Sequence, residues 1–114
     1  MTGKFVFLLA FYAADTRVSH HLIVGGRSPN DKLVVRQRVY KSSSLWFIVQ
    51  LEKTFYTLSE RSRITQVRAL DQQTDGKGAY ASLLGGGPAT NNVTLHFKSQ
   101  RTHGIDFMVE IYAV

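Results

Sequence analysis

From His20 to the C-terminus, apolar and polar residues alternate with a period of two, as in strands that bury one face and wet the other. The clearest runs come last. Val93, Leu95 and Phe97 oppose Thr94, His96 and Lys98, and then Ile105, Phe107, Val109 and Ile111 oppose Asp106, Met108, Glu110 and Tyr112. The polar SQRTHG between these runs predicts a hairpin loop. Upstream, Leu33, Val35 and Val39 alternate with Lys32, Arg36 and Arg38, which predicts one buried and one basic, solvated face. Residues 45–56 (LWFIVQLEKTFY) open apolar on both faces and then turn amphipathic. That predicts a central strand covered above and below, with Trp46, Phe47 and Ile48 in the core. ITQVRAL (64–70), after the polar SERSR, and residues 80–84, between DGKG and GGGP, read as shorter strands. With residues 20–24 as a first strand there are about seven short strands divided by turns, the pattern of an all-β single domain. An antiparallel β-sandwich and a small barrel both satisfy this spacing.

The N-terminal segment breaks the alternation. One positive side chain, Lys4, precedes the apolar run FVFLLAFYAA at residues 5–14, the length of a signal-peptide core. A bilayer-spanning helix needs about 20 such residues, so no membrane span is expected. Residues 1–19 are therefore a candidate signal peptide, with residues 20–114 as the β domain. Cleavage after Ala14 places Tyr12 three residues before the cut, and cleavage after Ser19 places Arg17 there, neither being small. The alternative is an N-terminal edge strand, since the same Phe and Val residues suit a sheet. Asn92-Val93-Thr94 follows the turn-rich GGGPATN and is an N-glycosylation sequon with Asn92 as acceptor, in accord with export.

Composition narrows the chemistry. A chain of 114 residues, 44% of them hydrophobic, holds one core and no second. The absence of cysteine removes disulfides, thiolate zinc sites and cysteine nucleophiles. A net charge of +6 suits nucleic acid, anionic lipid or an acidic protein. Lys32, Arg36, Arg38 and Lys41 form a candidate basic contact face, beside which Tyr40 or Tyr56 is available to stack a base. No basic helix or known single-strand-binding signature accompanies them, so an edge strand protected by charge is the favoured reading and direct nucleic-acid binding is not expected.

No catalytic, cofactor or metal residue is assigned. There is no Gly-x-Ser-x-Gly elbow, and the acids are scattered instead of paired. Gly76-Lys77-Gly78 and Gly85-Gly86-Gly87-Pro88 fit no phosphate loop and lead into no helix, so these glycines are read as turn-setting. Of the histidines, His20 and His21 are adjacent and point to opposite faces of a strand, while His96 and His103 flank the last loop. One exception is a copper chelate in a chain processed to begin at Ser19, built from the free amine, two amides and His21.

The stretch RITQVRALDQQTDGKGAYASLLGGGPATNNVTLHFKSQRTHGIDFMVEIY, extended upstream by HHLIVGGRSPNDKLVVRQRVYKSSS, resembles the arthropod multiprotein bridging factor two family over nearly all of residues 20–114. The resemblance implies a small all-β protein without a known active site. The family is named for a transcriptional co-activator that bridges a nuclear receptor and general transcription factor IIA. Many of its members resemble secreted salivary or gut proteins, some responsive to pathogens. Arg63, Ile64, Thr65, Arg68, Ala69, Leu70 and Asp71 match as fold-defining residues. No catalytic or ligand residue carries over.

The apolar N-terminus sides with the secreted group, and no contiguous basic localisation cluster is present. The expectation is a secreted, non-enzymatic protein without cofactor that acts by contact with a protein partner. The alternatives are a nuclear or cytoplasmic co-activator, and a structural protein that self-assembles through its sheet edges.

Overall fold

In a computed structural model that describes residues 18–114, the alternating runs become seven strands. These are β1 (Leu22–Gly25), β2 (Lys32–Lys41), β3 (Gln50–Tyr56), β4 (Ile64–Asp71), β5 (Tyr80–Gly86), β6 (Asn92–Lys98) and β7 (Ile105–Ala113). The apolar run at residues 5–14, leader or edge strand, lies outside the described residues. The strands form a larger sheet in the order β1-β4-β7-β2 and a smaller one in the order β3-β6-β5, with every pairing antiparallel. The architecture is thus a two-sheet antiparallel sandwich, the first of the two expected forms.

The most regular runs take the middle positions. β7 lies between β4 and β2, and β6 lies between β3 and β5. A central strand has both backbone edges paired, so strict alternation of its side chains is enough to bury one face completely. Phe97 and Leu95 of β6, and Phe107 and Val109 of β7, have no exposed surface. The rings of Phe97 and Phe107 meet across the sheets at 5.1 Å with a tilt of 54°. Val39, Phe55, Ile64, Val67, Ala69, Ala79, Val93, Ile105 and Ile111 complete the surrounding core.

Three expectations are corrected. SQRTHG is not a hairpin loop, because β6 and β7 belong to different sheets and residues 99–104 cross between them. The two apolar faces meet through the core and are not laid side by side. Trp46, Phe47 and Ile48 are not core: β3 begins at Gln50, and these residues lie in the connection between sheets, exposed by 73%, 67% and 43%. Among the described residues no third layer covers the end of the sandwich where the chain crosses. Leu33 is also exposed, at 45%. It pairs with Tyr112 while Val35 pairs with Ile111, leaving Val34 as an extra residue that shifts the phase of β2.

β1 and β2 occupy opposite edges of the larger sheet, and the connection between them is held against β4 and β7 by Asp31. Its carboxylate accepts hydrogen bonds from Ser28 N–H at 2.7 Å, Thr65 Oγ1 at 2.8 Å and Arg27 Nε at 2.9 Å. The Arg27 guanidinium lies 3.7 Å from the centre of the Tyr112 ring. The Arg27 hydrogen bond, with those from Ser28 and Thr65, outweighs desolvation and holds the Asp31 carboxyl down at about 2. A depressed carboxyl stabilises the fold above its unfolded value of about 4, and that contribution fades as pH falls through about 2. Asp31→Asn is accordingly expected to lower the thermal midpoint at neutral pH, with the gap to the native protein closing between about pH 4 and pH 2. Thermal melts of both proteins across that range check it; a gap independent of pH would remove the charge of Asp31 from the account.

Candidate functional site

The register of the larger sheet decides what its outer face displays. Ile23, Arg68, Glu110 and Arg36 lie in one row across β1, β4, β7 and β2. Arg36 Nε sits 3.3 Å from Glu110 Oε2. Next along β2, Arg38 makes a two-point contact with Asp106, Nε to Oδ1 at 2.9 Å and Nη2 to Oδ2 at 3.0 Å. That hydrogen bond raises the Arg38 pKa further above its ordinary value, so the guanidinium is a permanent cation whose charge is locally matched. The same guanidinium lies 4.6 Å from the Tyr40 ring centre. Arg68 is enclosed in the row, and its Nε has no hydrogen-bond partner among the described residues.

The candidate basic face is therefore divided. Arg36 and Arg38 point outward, each with a carboxylate. Lys32 and Lys41 lie at opposite ends of β2, in register with the inward-facing Ala113 and Ile105. Lys41 Nζ reaches the Gln50 carbonyl at 3.1 Å. Tyr40 shares the arginine face, whereas Tyr56 is paired with Asn92 in the smaller sheet, so the two tyrosines do not share one surface. Instead, Ile23, Leu33 and Tyr40, exposed by 52%, 45% and 57%, surround the arginine–carboxylate pairs, with half-buried Leu70, Met108 and Tyr112 between them. Glu110 and Asp106 are the residues that sequence reasoning missed. They stand about 70 positions from their arginines, and only the β2–β7 register brings them together.

The remaining candidates fall elsewhere. Asn92 opens β6, its Nδ2 donating to Asn91 Oδ1 at 2.9 Å, and Thr94 Oγ1 pairs with Thr54 Oγ1 at 2.8 Å on the outer face of the smaller sheet. Gly76 is in the β4–β5 connection, Gly85 and Gly86 are the last paired residues of β5, and Gly87 begins the following turn. At Gly86, with φ of 66°, a Cβ would collide with the Asn92 carbonyl. Gly78 is pressed against the Asp71 carboxylate.

The adjacent histidines serve the same aspartate. His20 N–H donates to Asp71 Oδ2 at 2.9 Å, and His21 Nδ1 accepts the Asp71 N–H at 2.9 Å. The His20 ring stacks on Tyr80 at 4.3 Å. Copper chelation at a Ser19 terminus requires the His20 amide nitrogen and the His21 ring, both engaged here by Asp71. His96 Nε2 pairs with Gln50 Oε1 at 2.9 Å, and His103 is half-buried in the sheet crossing. Among the described residues no group of three or more His, Cys, Asp or Glu is placed to hold a metal, and no helix is long and apolar enough to cross a membrane.

The family model described as transcription activator MBF2 matches residues 24–113, from within β1 to the end of β7. The chain belongs to this family. The MBF2 match contains the core, both arginine–carboxylate pairs and Asp71, and it bears out the resemblance carried by RITQVRALDQQTDGKG and the strands that follow. A bumblebee (Bombus ignitus) protein described as "Probable salivary secreted peptide" is 55% identical over 103 residues, covering 90% of this chain and 76% of that protein. No solved structure matches this MBF2-family chain.

Proposed function

We propose that this MBF2-family chain is a secreted, non-enzymatic protein that acts by binding a protein partner through the outer face of its larger sheet. The carrying observation is the composition of that face. Exposed Leu33, Tyr40 and Ile23 are interleaved with arginines whose charges are already matched by Glu110 and Asp106. Aromatic, methionine and arginine side chains on a broad sheet are the residues enriched in protein contact surfaces, and pre-matched charges lower the cost of removing the face from water. Secretion draws support from the description of the bumblebee relative and from the apolar run at residues 5–14.

The test expresses the full chain in insect cells, locates the product, reads its N-terminus and isolates what remains bound. Arg38→Glu, which sets a second carboxylate against Asp106, and Tyr40→Ala are each expected to weaken the retained complex by at least about tenfold. Glu52→Ala, on the outer face of the smaller sheet, is expected to leave it unchanged. Equal losses from all three variants would sink the assignment of the surface.

The family's description favours a second reading, an intracellular transcription activator. The same experiment separates the two, since an uncleaved product retained in the nucleus supports the activator and removes the secreted reading.

A further inference from the structure

The β2–β3 connection exposes Leu45, Trp46, Phe47 and Ile48 by 82%, 73%, 67% and 43%. Single exposed apolar residues are ordinary on a protein surface; four large ones in succession on one loop are not. The loop has a fixed base. Val49 N–H donates to Ser99 Oγ at 2.8 Å, and Ser99 N–H donates to the Val49 carbonyl at 2.9 Å. On the other side the backbone at Ser42 and Ser43 closes over Gly104, where a Cβ would stand 3.0 Å from Ser43 N. The apolar side chains are thus carried outward on a rigid support.

The charges at that end of the sandwich match one class of surface. Strand register brings Lys41 and Lys98 to the same end, since Lys41 Nζ touches Gln50, which pairs with Lys98. Arg101 lies in the adjoining sheet crossing, and Gln100 ties that crossing to Gly76 and Gly78 on either side of Lys77. Lys41, Lys77, Lys98 and Arg101 are all exposed, and none has a salt-bridge partner among the described residues. Of the acids nearby, Asp71 is buried and Asp106 is held by Arg38. Among the described residues, Asp75, its carboxylate accepting the Lys77 backbone N–H, and Glu52, two positions along β3 from Gln50, stay in the open.

We propose that residues 45–48 are a membrane-docking tip that enters the interface of an anionic bilayer while Lys41, Lys77, Lys98 and Arg101 meet the lipid headgroups. Leu45, Trp46 and Phe47 each leave two-thirds or more of their surface open. A lipid interface accepts apolar groups in any orientation and favours tryptophan at the headgroup level. The cations add attraction to acidic lipids, and the attachment is peripheral. This surface adjoins the arginine face at Tyr40 and Lys41 but uses neither arginine–carboxylate pair, so the inference does not rest on the protein-contact reading.

Trp46 is the chain's single tryptophan, so its fluorescence reports this loop alone. The chain purified from insect cells is mixed with vesicles of phosphatidylcholine containing about one-third phosphatidylserine. The expected result is a blue shift of Trp46 emission together with co-sedimentation. Leu45→Ser with Phe47→Ser is expected to weaken vesicle binding by at least about tenfold. Lys98→Gln and Arg101→Gln each weaken it by about fivefold at low salt. All four changes are at exposed positions, and thermal melts of the variants should match the native protein. Emission unchanged by vesicles overturns the proposal. Native-like vesicle binding by the double serine variant also overturns it, by assigning attachment to another segment. A blue shift that grows with protein concentration in the absence of lipid overturns it in favour of a second copy of the chain, and equal binding to pure phosphatidylcholine overturns the role given to the cations.

Discussion

Replacing Phe107 with alanine is expected to remove about 3–5 kcal/mol of stability, a large part of what a domain of this size possesses. The ring has no exposed surface and lies on the central strand of the larger sheet, flanked in register by Val39 and Asp71. Its contact with Phe97, 5.1 Å between centres, is where the two sheets meet. The strands on both sides are tied to neighbours by ladder hydrogen bonds and cannot close around the missing ring, so the cavity persists. For a domain of this size each kcal/mol shifts the midpoint by about 4–8 °C, which places the loss at about 12–40 °C. Phe47→Ala is the matched control. Its ring is 67% exposed, and its truncation is expected to change stability by less than about 0.5 kcal/mol. Urea or thermal unfolding decides the matter: comparable losses for the two phenylalanines would mean that residues 45–48 are packed after all.

The contrast between these two rings shows what the sequence makes legible. Phe107 stands in a run where every second residue is apolar, and a period of two names the face as well as the strand. Phe47 stands in a continuous apolar run, which specifies no face and serves a covered strand or an uncovered tip equally well. Leu33 departs from the buried side for a different reason. Its alternation is real, but a single inserted residue, Val34, reverses the phase, and only pairing with β7 displays the insertion.

The candidate surfaces follow the same logic. A run of Arg36 and Arg38 on one strand is visible as positive charge, yet its electrostatic character is set by Glu110 and Asp106 from the far end of the chain. Pairing removes most of that apparent electrostatic footprint and leaves Arg68 as the cation of the face without a carboxylate partner among the described residues. The end of the sandwich changes in the opposite sense, because the cations there keep no acidic partner among the described residues while the apolar loop gains exposure. The arginine strand, the evident candidate by charge, is thus the less cationic of the two surfaces.

Asp71→Ala is expected to lower stability by about 2–4 kcal/mol, more than its position at the end of a strand suggests. The residue is 3% exposed, and its carboxylate accepts the His20 N–H at 2.9 Å and the Gln73 N–H at 3.0 Å. Its own N–H is taken by His21 Nδ1, and Gly78, which lies against the carboxylate, offers its carbonyl to Gln100 Nε2 at 3.1 Å. One side chain therefore fastens the approach to β1, the β4–β5 connection and, through Gly78, the crossing between sheets. Alanine leaves the His20 and Gln73 donors without acceptors, whereas asparagine keeps one acceptor oxygen and should lose about half as much. Hydrogen exchange separates local from global effects. Protection at His20 and Gln73 is expected to vanish while that of β6 and β7 survives. In a chain processed to begin at His20, the donor at Asp71 becomes an ammonium instead of an amide, which adds an ion pair to a bond whose acceptor is already a carboxylate. Asp71→Ala should then cost more in that chain than in one with residues before His20, and equal costs in the two would show that the aspartate is indifferent to how the N-terminus is made.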